Sequence, residues 1–292
     1  MAARFRRRLD DLRRRRQPPK AAPVKASIAV AQFPITWDIE RNLSAIATIL
    51  TETMPDEIVV IPEGALSGYG SDLSALDHLD LAALGQALDH LTDLARQRAI
   101  HLFCGSLLFE HGAWWNTALY FSPHGTRWTY RKINLAINER SRLAAGGELT
   151  PLRLELADGP LIVGVQICRE IRFPEQWQHL ADAGAQAFIY LTNAANPTEP
   201  PGVWQSHLIS RAAENQRFVL AANIADPDQH CPTTIISPRG QTLAELPPNQ
   251  TGLLKTTIDP DDASTWYLGQ RRRDIIHLRY QGRTTRHAFG EF

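Results

Sequence analysis

The sequence predicts a layered α/β fold, because strand patterns alternate with helical patterns along most of its 292 residues. Short apolar runs rich in β-branched residues, such as residues 58–61, are typical of strands buried on both faces. Between the runs, apolar side chains recur at helical spacing, as with Leu84, Leu88 and Leu91. These elements fall into two halves without a short internal repeat. The pattern indicates neither a β-sandwich nor a helix bundle.

The first half begins near Ala26. Asp38 is a suitable N-cap, because its carboxylate can accept hydrogen bonds from the first turn of the helix that follows. Pro123, His124 and Gly125 predict the turn of a hairpin. The predicted elements are a strand at 28–32, a helix at 39–50, a strand at 58–61, a helix at 81–95, a strand at 101–105 and hairpin strands at 117–121 and 127–131.

The second half follows a polar, irregular stretch that ends at Gly147. Pro174 predicts the first turn of a helix, and Gly184 predicts its end. The predicted elements are a strand at 161–167, the helix after Pro174, a strand at 187–192, a helix at 203–216, a strand at 218–223, a hairpin of 233–237 with 241–245, and a strand at 253–258 before an Arg-rich C-terminal segment.

The composition is that of a globular protein, with 43% hydrophobic and 21% charged residues. Cys104, Cys168 and Cys231 lie far apart and form no CxxC pair. This spacing favours neither a zinc site nor a disulfide scaffold, so we expect a reducing, cytoplasmic location. No apolar run approaches the roughly 20 residues that cross a bilayer. We therefore expect no membrane span.

The charge is unevenly placed, although 31 basic and 31 acidic residues balance over the chain. Residues 1–25 hold ten of the basic residues and only Asp10 and Asp11 of the acidic ones. We therefore predict a basic, flexible tail over residues 1–25 and a folded domain over residues 26–292. A short basic helix of the tail on a nucleic acid, a membrane surface or a partner is the alternative. Because the folded part is acidic, nucleic acid is not expected as its partner.

Cys168 lies between a predicted buried strand and a predicted helix. Backbone N–H groups and the helix dipole favour a thiolate in such a turn, so Cys168 is a candidate nucleophile. The alternative is a buried structural cysteine, since free cysteines behave as small apolar residues.

Two other predicted strands end in a charged residue. Glu63 follows the run at 58–61, and Lys132 follows the hairpin strand at 127–131. Each alone is typical of a solvated strand end. Together with Cys168 they place an acid/base, a cation and a nucleophile at strand ends, where α/β sheets commonly have their sites.

The sequences around these residues resemble the three catalytic motifs of the carbon–nitrogen hydrolase (nitrilase) superfamily, on its amidase-like side. The motifs are VVIPEGALSGYG, YRKINLAINER and GVQICREIRFPE, and further similarity extends over about residues 26–275. The resemblance implies a four-layer α-β-β-α sandwich of the nitrilase type. It also implies a homodimer or larger homo-oligomer, and a reaction without a metal or other cofactor.

The same resemblance implies a role for each motif residue. Cys168 is the nucleophile, Glu63 is the general base and later the general acid, and Lys132 is the cation beside the tetrahedral intermediate. Glu139 matches the second glutamate of the family, which helps to position the substrate and the lysine. The backbone N–H of Arg169 is suited to the oxyanion.

The sequence departs from the family pattern around the nucleophile. Arg169 stands where Tyr or Trp is common, and Glu170 stands where amidases commonly have Asp. Asn134 stands where the family often has His. These differences make it unsafe to transfer a substrate from any one branch.

The RFPE run resembles enzymes that hydrolyse ω-amides of small carboxylic acids. Arg172 in this run is therefore a candidate for binding a substrate carboxylate, and an ion pair with Glu170 or Glu175 is the equal alternative. We predict a hydrolase that releases ammonia from the amide of a small acid through a cysteine thioester. A nitrile or N-carbamoyl hydrolase is the alternative, and a non-catalytic interaction module is the remote one.

Overall fold

The computed structural model describes residues 25–276, 279–285 and 287. In the first half of the chain, predicted strands and helices alternate as expected. The elements are β1 (Ala26–Gln32), α1 (Ile39–Leu50), β2 (Ile58–Val60), α2 (Leu81–Arg98), β3 (His101–Glu110), β4 (Ala113–Phe121), β5 (Arg127–Arg131) and the short β6 (Leu143–Ala144).

The second half repeats the alternation and adds a hairpin before Cys168. Its elements are β7 (Leu152–Leu156), β8 (Gly159–Ile167), α3 (Pro174–Asp182), β9 (Ala187–Leu191), α4 (Val203–Asn215), β10 (Phe218–Ala222), β11 (Thr234–Ile236), β12 (Thr242–Glu245), β13 (Gly252–Ile258) and α5 (Trp266–Gly269). Between β8 and α3, the segment Cys168–Arg172 forms a 3₁₀-helix.

The strands form two mixed sheets. The first sheet has the order β13-β1-β2-β3-β4-β5, with β6 beside β4, and the second has the order β12-β11-β10-β9-β8-β7. Each sheet has three parallel strands at its centre, β1 to β3 and β8 to β10, and antiparallel strands flank them. The two halves of the chain thus build one sheet each, except that β13 returns to the edge of the first sheet.

Alternating side chains show that the sheets pack against each other and against helices. In β1, Ile28 and Val30 belong to the core shared with the second sheet, whereas Ala29 and Ala31 pack with α1 and α2. On the far side, α3 and α4 cover the second sheet. The layers are therefore α-β-β-α, and the predicted four-layer sandwich is confirmed.

Strand direction explains why distant residues meet. β5 runs parallel to β3 because two antiparallel pairings, β3 with β4 and β4 with β5, reverse the chain twice. The residues that follow β2 and β5 therefore leave the first sheet at the same edge. Asn193, which follows β9, donates its backbone N–H to Glu63 at 2.9 Å, so the carboxyl end of the second sheet lies at this edge too.

Several boundaries differ from the sequence-based prediction. β3 continues to Glu110, beyond the predicted end at Gly105, because it pairs with β4 along its whole length. β7 was not predicted, and its hairpin with β8 extends the strand before Cys168 back to Gly159. The N-cap at Asp38 is confirmed, since its side chain accepts the backbone N–H of Arg41 at 3.0 Å.

The predicted basic tail lies outside the described residues except for Lys25, whose Nζ is 2.9 Å from a carboxylate oxygen of Asp259. In the Arg-rich C-terminal segment, Arg271 and Arg273 form ion pairs with Asp182 at the end of α3. Within the described part of the chain, no helix is both long and apolar enough to span a membrane.

Candidate active site

Glu63 lies on the buried turn that follows β2, and three donors hold its carboxylate. Oε1 accepts hydrogen bonds from Lys132 Nζ at 3.0 Å and from Asn116 Nδ2 at 2.7 Å. Oε2 accepts the backbone N–H of Asn193 at 2.9 Å. These contacts fix the orientation of a fully buried carboxylate. A carboxylate held in this way is suited to proton transfer.

Lys132 directly follows β5 and is fully buried. Its Nζ donates to Glu63 and, at 2.9 Å, to Oε1 of Glu139, and it lies 5.9 Å from the centre of the Tyr69 ring. Burial alone lowers the pKa of Lys132, but the negative charge of Glu63, with that of Glu139, outweighs it and holds this pKa well above its usual value. Lys132 is therefore a fixed positive charge within the site.

Cys168 occupies the first position after β8, and its backbone is unusual. Its φ of 45° lies in the left-handed region, which few residues other than glycine adopt. The Tyr190 hydroxyl donates to the Cys168 carbonyl at 2.8 Å and stabilises this turn. Such backbone conformations persist where the surroundings hold them, often at functional sites.

The protonation of Cys168 differs from the sequence-based expectation of a thiolate. Burial and the negative charge of Glu63 raise the pKa of the Cys168 thiol to about 12, although Lys132 lowers it. The helix dipole gives little help, because the 3₁₀ segment Cys168–Arg172 separates the thiol from α3. The resting site therefore holds a neutral thiol, and this thiol would need a base to act as a nucleophile. Glu63, whose charge acts directly on this thiol, is the available one.

Glu139 and Asn116 complete the polar cluster. Glu139 Oε1 accepts from Lys132, from Asn116 Nδ2 at 2.6 Å and from the Tyr69 hydroxyl at 3.0 Å. Asn116 thus bridges Glu63 and Glu139 with one amide group. Sequence reasoning missed Asn116, although a polar amide in the apolar strand β4 is a signal that could have indicated it.

Glu170 is a second residue whose function the sequence did not reveal. Its Oε1 accepts the backbone N–H groups of Ile133 and Asn134, which follow Lys132, at 2.8 and 3.1 Å. Its Oε2 accepts the N–H of Ile167, next to Cys168, at 2.8 Å. Burial raises the pKa of Glu170, and these hydrogen bonds oppose that shift. Glu170 therefore joins the loop that follows Lys132 to the turn at Cys168.

The two arginines beside the nucleophile have different surroundings. Arg169 is exposed and lines the same cavity as Cys168. Arg172 forms an ion pair with Glu199 at 2.5 Å. The predicted alternative, an ion pair with Glu170 or Glu175, is therefore wrong in its partner. Its guanidinium also lies 5.6 Å from the centre of the Trp204 ring.

A cavity of about 630 Å³ opens over Cys168. Its walls include Tyr69, Asn193, Trp204 and His230. This volume is typical of a site for a small molecule. Within the described residues, no group of His, Cys, Asp and Glu side chains is arranged to hold a metal ion. The prediction of a reaction without a metal or cofactor stays a prediction.

The site combines a glutamate, a lysine and a cysteine at one edge of two stacked sheets, beneath a cavity. This arrangement indicates an enzyme with a four-layer sandwich fold. The sequence model of the carbon-nitrogen hydrolase family matches residues 27–267. The chain belongs to this family, as the motifs indicated. It is an enzyme that acts on carbon–nitrogen bonds other than peptide bonds, which excludes the interaction module.

Curated relatives with amidase names align over most of the chain. The 2-oxoglutaramate amidase of Paenarthrobacter nicotinovorans is 26% identical over 87% of this chain and 92% of its own. The omega-amidase NIT2-A of Xenopus laevis is 29% identical over 87% of this chain and 98% of its own. An (R)-stereoselective amidase of Pseudomonas sp. is 31% identical over 64% of this chain and 65% of its own. These similarities confirm the predicted amidase-like branch.

The fold has solved counterparts. The amidase from Nesterenkonia sp. has a TM-score of 0.72 and 24% sequence identity, over 86% of this chain and 94% of that one. The Caenorhabditis elegans NitFhit protein has a TM-score of 0.73 at 24% identity, over 88% of this chain and 67% of that one. Both comparisons support the fold.

Proposed function

We propose that the enzyme hydrolyses the amide of a small carboxylic acid to the acid and ammonia, with a thioester on Cys168 as the intermediate. The observation that carries this proposal is the buried cluster in which Glu63 and Lys132 are hydrogen-bonded to each other and act electrostatically on the Cys168 thiol. The names of the relatives, among them 2-oxoglutaramate amidase and omega-amidase, support an amide of an acid.

The first half-reaction forms the thioester. Cys168 Sγ attacks the amide carbonyl carbon while the Glu63 carboxylate takes the thiol proton, which is needed because the thiol has a pKa of about 12. The carbonyl oxygen becomes an oxyanion that the Lys132 ammonium and the Arg169 backbone N–H stabilise, and one such donor is worth roughly 3 kcal/mol. Glu63 then returns its proton to the departing nitrogen, and ammonia leaves.

The second half-reaction releases the acid. Glu63, again ionised, takes a proton from water, and the hydroxide adds to the thioester carbon. The same two donors stabilise the second oxyanion. Collapse expels the Cys168 sulfur, which receives the proton from Glu63. Glu139 and Asn116 keep Lys132 and Glu63 in place through both steps.

Arg172 was predicted to bind a substrate carboxylate, and that prediction stays open to experiment. Its NH2 group donates to Glu199, and its guanidinium faces the Trp204 ring. A substrate carboxylate would therefore compete with Glu199 for this guanidinium.

A substrate panel tests the proposal. Ammonia release is measured from amides, nitriles and N-carbamoyl compounds with matched acyl groups, using the wild type and the Glu63→Gln variant. We expect the amides to have the highest kcat/KM, and Glu63→Gln to lower it by two or more orders of magnitude through loss of the base. Faster turnover of nitriles or N-carbamoyl compounds would contradict the amide assignment.

We also propose a homodimer or larger homo-oligomer in a reducing cytoplasm. Large apolar side chains of the C-terminal region support an interface, because Trp266, Tyr267, Ile275 and Ile276 are 63%, 54%, 65% and 76% exposed. The three cysteines are free, which supports a reducing compartment. Sedimentation velocity measures the assembly, and a monomer at micromolar concentration would contradict it.

A further inference from the structure

Two side chains in the wall of the active-site cavity carry hydrogen-bonding groups without partners among the described residues. Trp204 is 2% exposed, and its Nε1 has no acceptor. Both ring nitrogens of His230 are buried and form no hydrogen bond of good geometry, although the Asp228 backbone contacts the ring. The two rings contact each other edge to face, with centres 5.0 Å apart. Buried polar atoms are normally paired, so these atoms indicate a ligand that supplies the missing partner.

Arg169 provides a third set of donors in the same cavity. It directly follows the nucleophile, its side chain is exposed, and it forms no ion pair or hydrogen bond with the residues that the structure describes. Its positive charge acts on His230, so the two side chains are neighbours. Burial lowers the pKa of His230, and the contact with the Asp228 backbone opposes this shift. The ring is therefore neutral near pH 7 and has one N–H donor, for which a substrate carboxylate would compete with the Asp228 backbone.

The other charged groups around this cavity are already engaged. Glu199 is paired with Arg172, which also stacks on Trp204. Asp226 accepts the backbone N–H of Asp228 at 2.8 Å within its own turn. Arg169 is thus the cation of this wall that lacks a counter-charge in the described part of the chain.

We propose that Arg169, Trp204 and His230 form the subsite that binds the carboxylate of the substrate, and that Arg172 positions Trp204 from behind. This proposal rests on the amide-of-an-acid function proposed above. A carboxylate has lone pairs enough to accept from the guanidinium, the indole N–H and the imidazole N–H together. The departure from the family pattern at Arg169 then becomes a determinant of specificity.

Kinetics with matched substrates test this subsite. The pair is the monoamide of a four- or five-carbon dicarboxylic acid and the methyl ester of the same compound. Arg169→Gln keeps the backbone N–H. We expect this variant to lower kcat/KM for the acid by roughly thirty-fold, which is the effect of losing a charge-assisted contact. We expect kcat/KM for the ester to change by less than threefold. Trp204→Phe removes the indole N–H together with one ring of the side chain, and it is expected to lower kcat/KM for the acid by about five- to tenfold.

Two further variants complete the experiment. Arg153→Gln removes an exposed arginine of β7 and is the matched control. We expect it to leave kcat/KM unchanged for both substrates. Arg172→Gln is expected to lower kcat/KM for the acid by less than Trp204→Phe does and to reduce the preference for the acid only in part, because Arg172 acts through Trp204. Since Arg169 is exposed, the test holds even if Trp204→Phe fails to fold.

The outcomes separate this subsite from the proposed function. Two results would overturn the subsite. In the first, Arg169→Gln lowers kcat/KM for the acid and for the ester equally. In the second, Arg172→Gln abolishes the preference for the acid but Arg169→Gln does not. If the wild type hydrolyses acid and ester equally well, the amidase function stands and the subsite is wrong. If the wild type hydrolyses neither compound but hydrolyses nitriles, both proposals are wrong.

Discussion

At the scale of single residues, the protonation of Cys168 determines how the proposed mechanism can begin. Since the pKa of the Cys168 thiol is raised to about 12, the thiol stays protonated from pH 6 to 9. Burial also raises the pKa of Cys104 and Cys231, so neither adds thiolate in this range. We expect the ultraviolet thiolate absorbance of the wild type, minus that of Cys168→Ala, to stay flat over this range. A titration step below pH 8 would show a resting thiolate.

Glu170 offers a second test at this scale. In Glu170→Gln, one carboxylate oxygen becomes an NH₂ group that faces backbone N–H donors of Ile133 and Asn134 or of Ile167. An unpaired buried donor costs about 1–3 kcal/mol, so we expect a comparable loss in the free energy of unfolding. We also expect kcat to fall, because the loop that follows Lys132 shifts relative to Cys168. Urea unfolding and steady-state kinetics measure the two effects.

The control for that variant is Glu175→Gln, which removes an exposed carboxylate from the first turn of α3 and should change neither quantity. If Glu170→Gln lowered stability but left kcat unchanged, Glu170 would have no part in positioning the site. A kcat that recovers in Glu170→Asp would support positioning, since the shorter carboxylate keeps its acceptor oxygens.

The sequence could indicate the proposed catalytic residues, but not several of their hydrogen-bond partners. Glu63, Lys132 and Cys168 each interrupt or end an apolar strand pattern, which is visible locally. Asn116 bonds to a residue 53 positions away in the sequence, and Glu170 bonds to a backbone N–H 37 positions away. Those partners are known only when the strands are aligned, so one sequence does not contain a local signal for them.

At the scale of elements, the close approach of β3 to the turn at Pro62 and Glu63 controls the position of Glu63. A Cβ on Gly105 would lie 2.4 Å from the Pro62 carbonyl oxygen and 2.5 Å from Glu63 Cα, both far inside contact distance. Gly105→Ala must therefore move the turn. We expect it to cost about 1–3 kcal/mol in stability, the usual range for overpacking, and to lower kcat at least tenfold.

Gly85→Ala in α2 is the matched control, because a Cβ there meets nothing within 4 Å. Alanine is the better helix former by about 1 kcal/mol, so this variant should be slightly more stable and equally active. Thermal unfolding and kinetics of both variants check the prediction. Full activity in Gly105→Ala would show that the turn tolerates displacement.

Most elements could be predicted because their apolar periodicity is strong, and the exceptions have physical causes. β3 was predicted too short because its second part follows Gly105, which interrupts a strand pattern but permits the close approach to Glu63. The 3₁₀ segment at Cys168–Arg172 has no distinct periodicity, so the distance between thiol and helix could not be read from the sequence.

At the scale of the whole molecule, the sandwich alone brings the site together. The three proposed catalytic residues follow β2, β5 and β8, and they meet because both sheets present the carboxyl ends of these strands at one edge. The family match at residues 27–267 begins at β1, after the predicted tail. We therefore expect a chain that starts at Val24 to keep its fold and its kcat/KM.

Circular dichroism, sedimentation and kinetics of this shortened chain, compared with the full chain, check that expectation. Its first described residue, Lys25, would be retained, and with it the ion pair to Asp259. Loss of activity or of assembly would place the tail within the functional structure, and the predicted boundary between residues 25 and 26 would be wrong.

The central claim is that Cys168, with Glu63 as its base, carries the acyl group during turnover. The most direct measurement is mass spectrometry of the wild type after rapid acid quenching with an amide substrate, on the peptide that contains Cys168. We predict an acyl adduct on that peptide, its persistence in the Cys104→Ala and Cys231→Ala variants, and no ammonia release by Cys168→Ala. An adduct on another residue, or undiminished ammonia release by Cys168→Ala, would contradict the account.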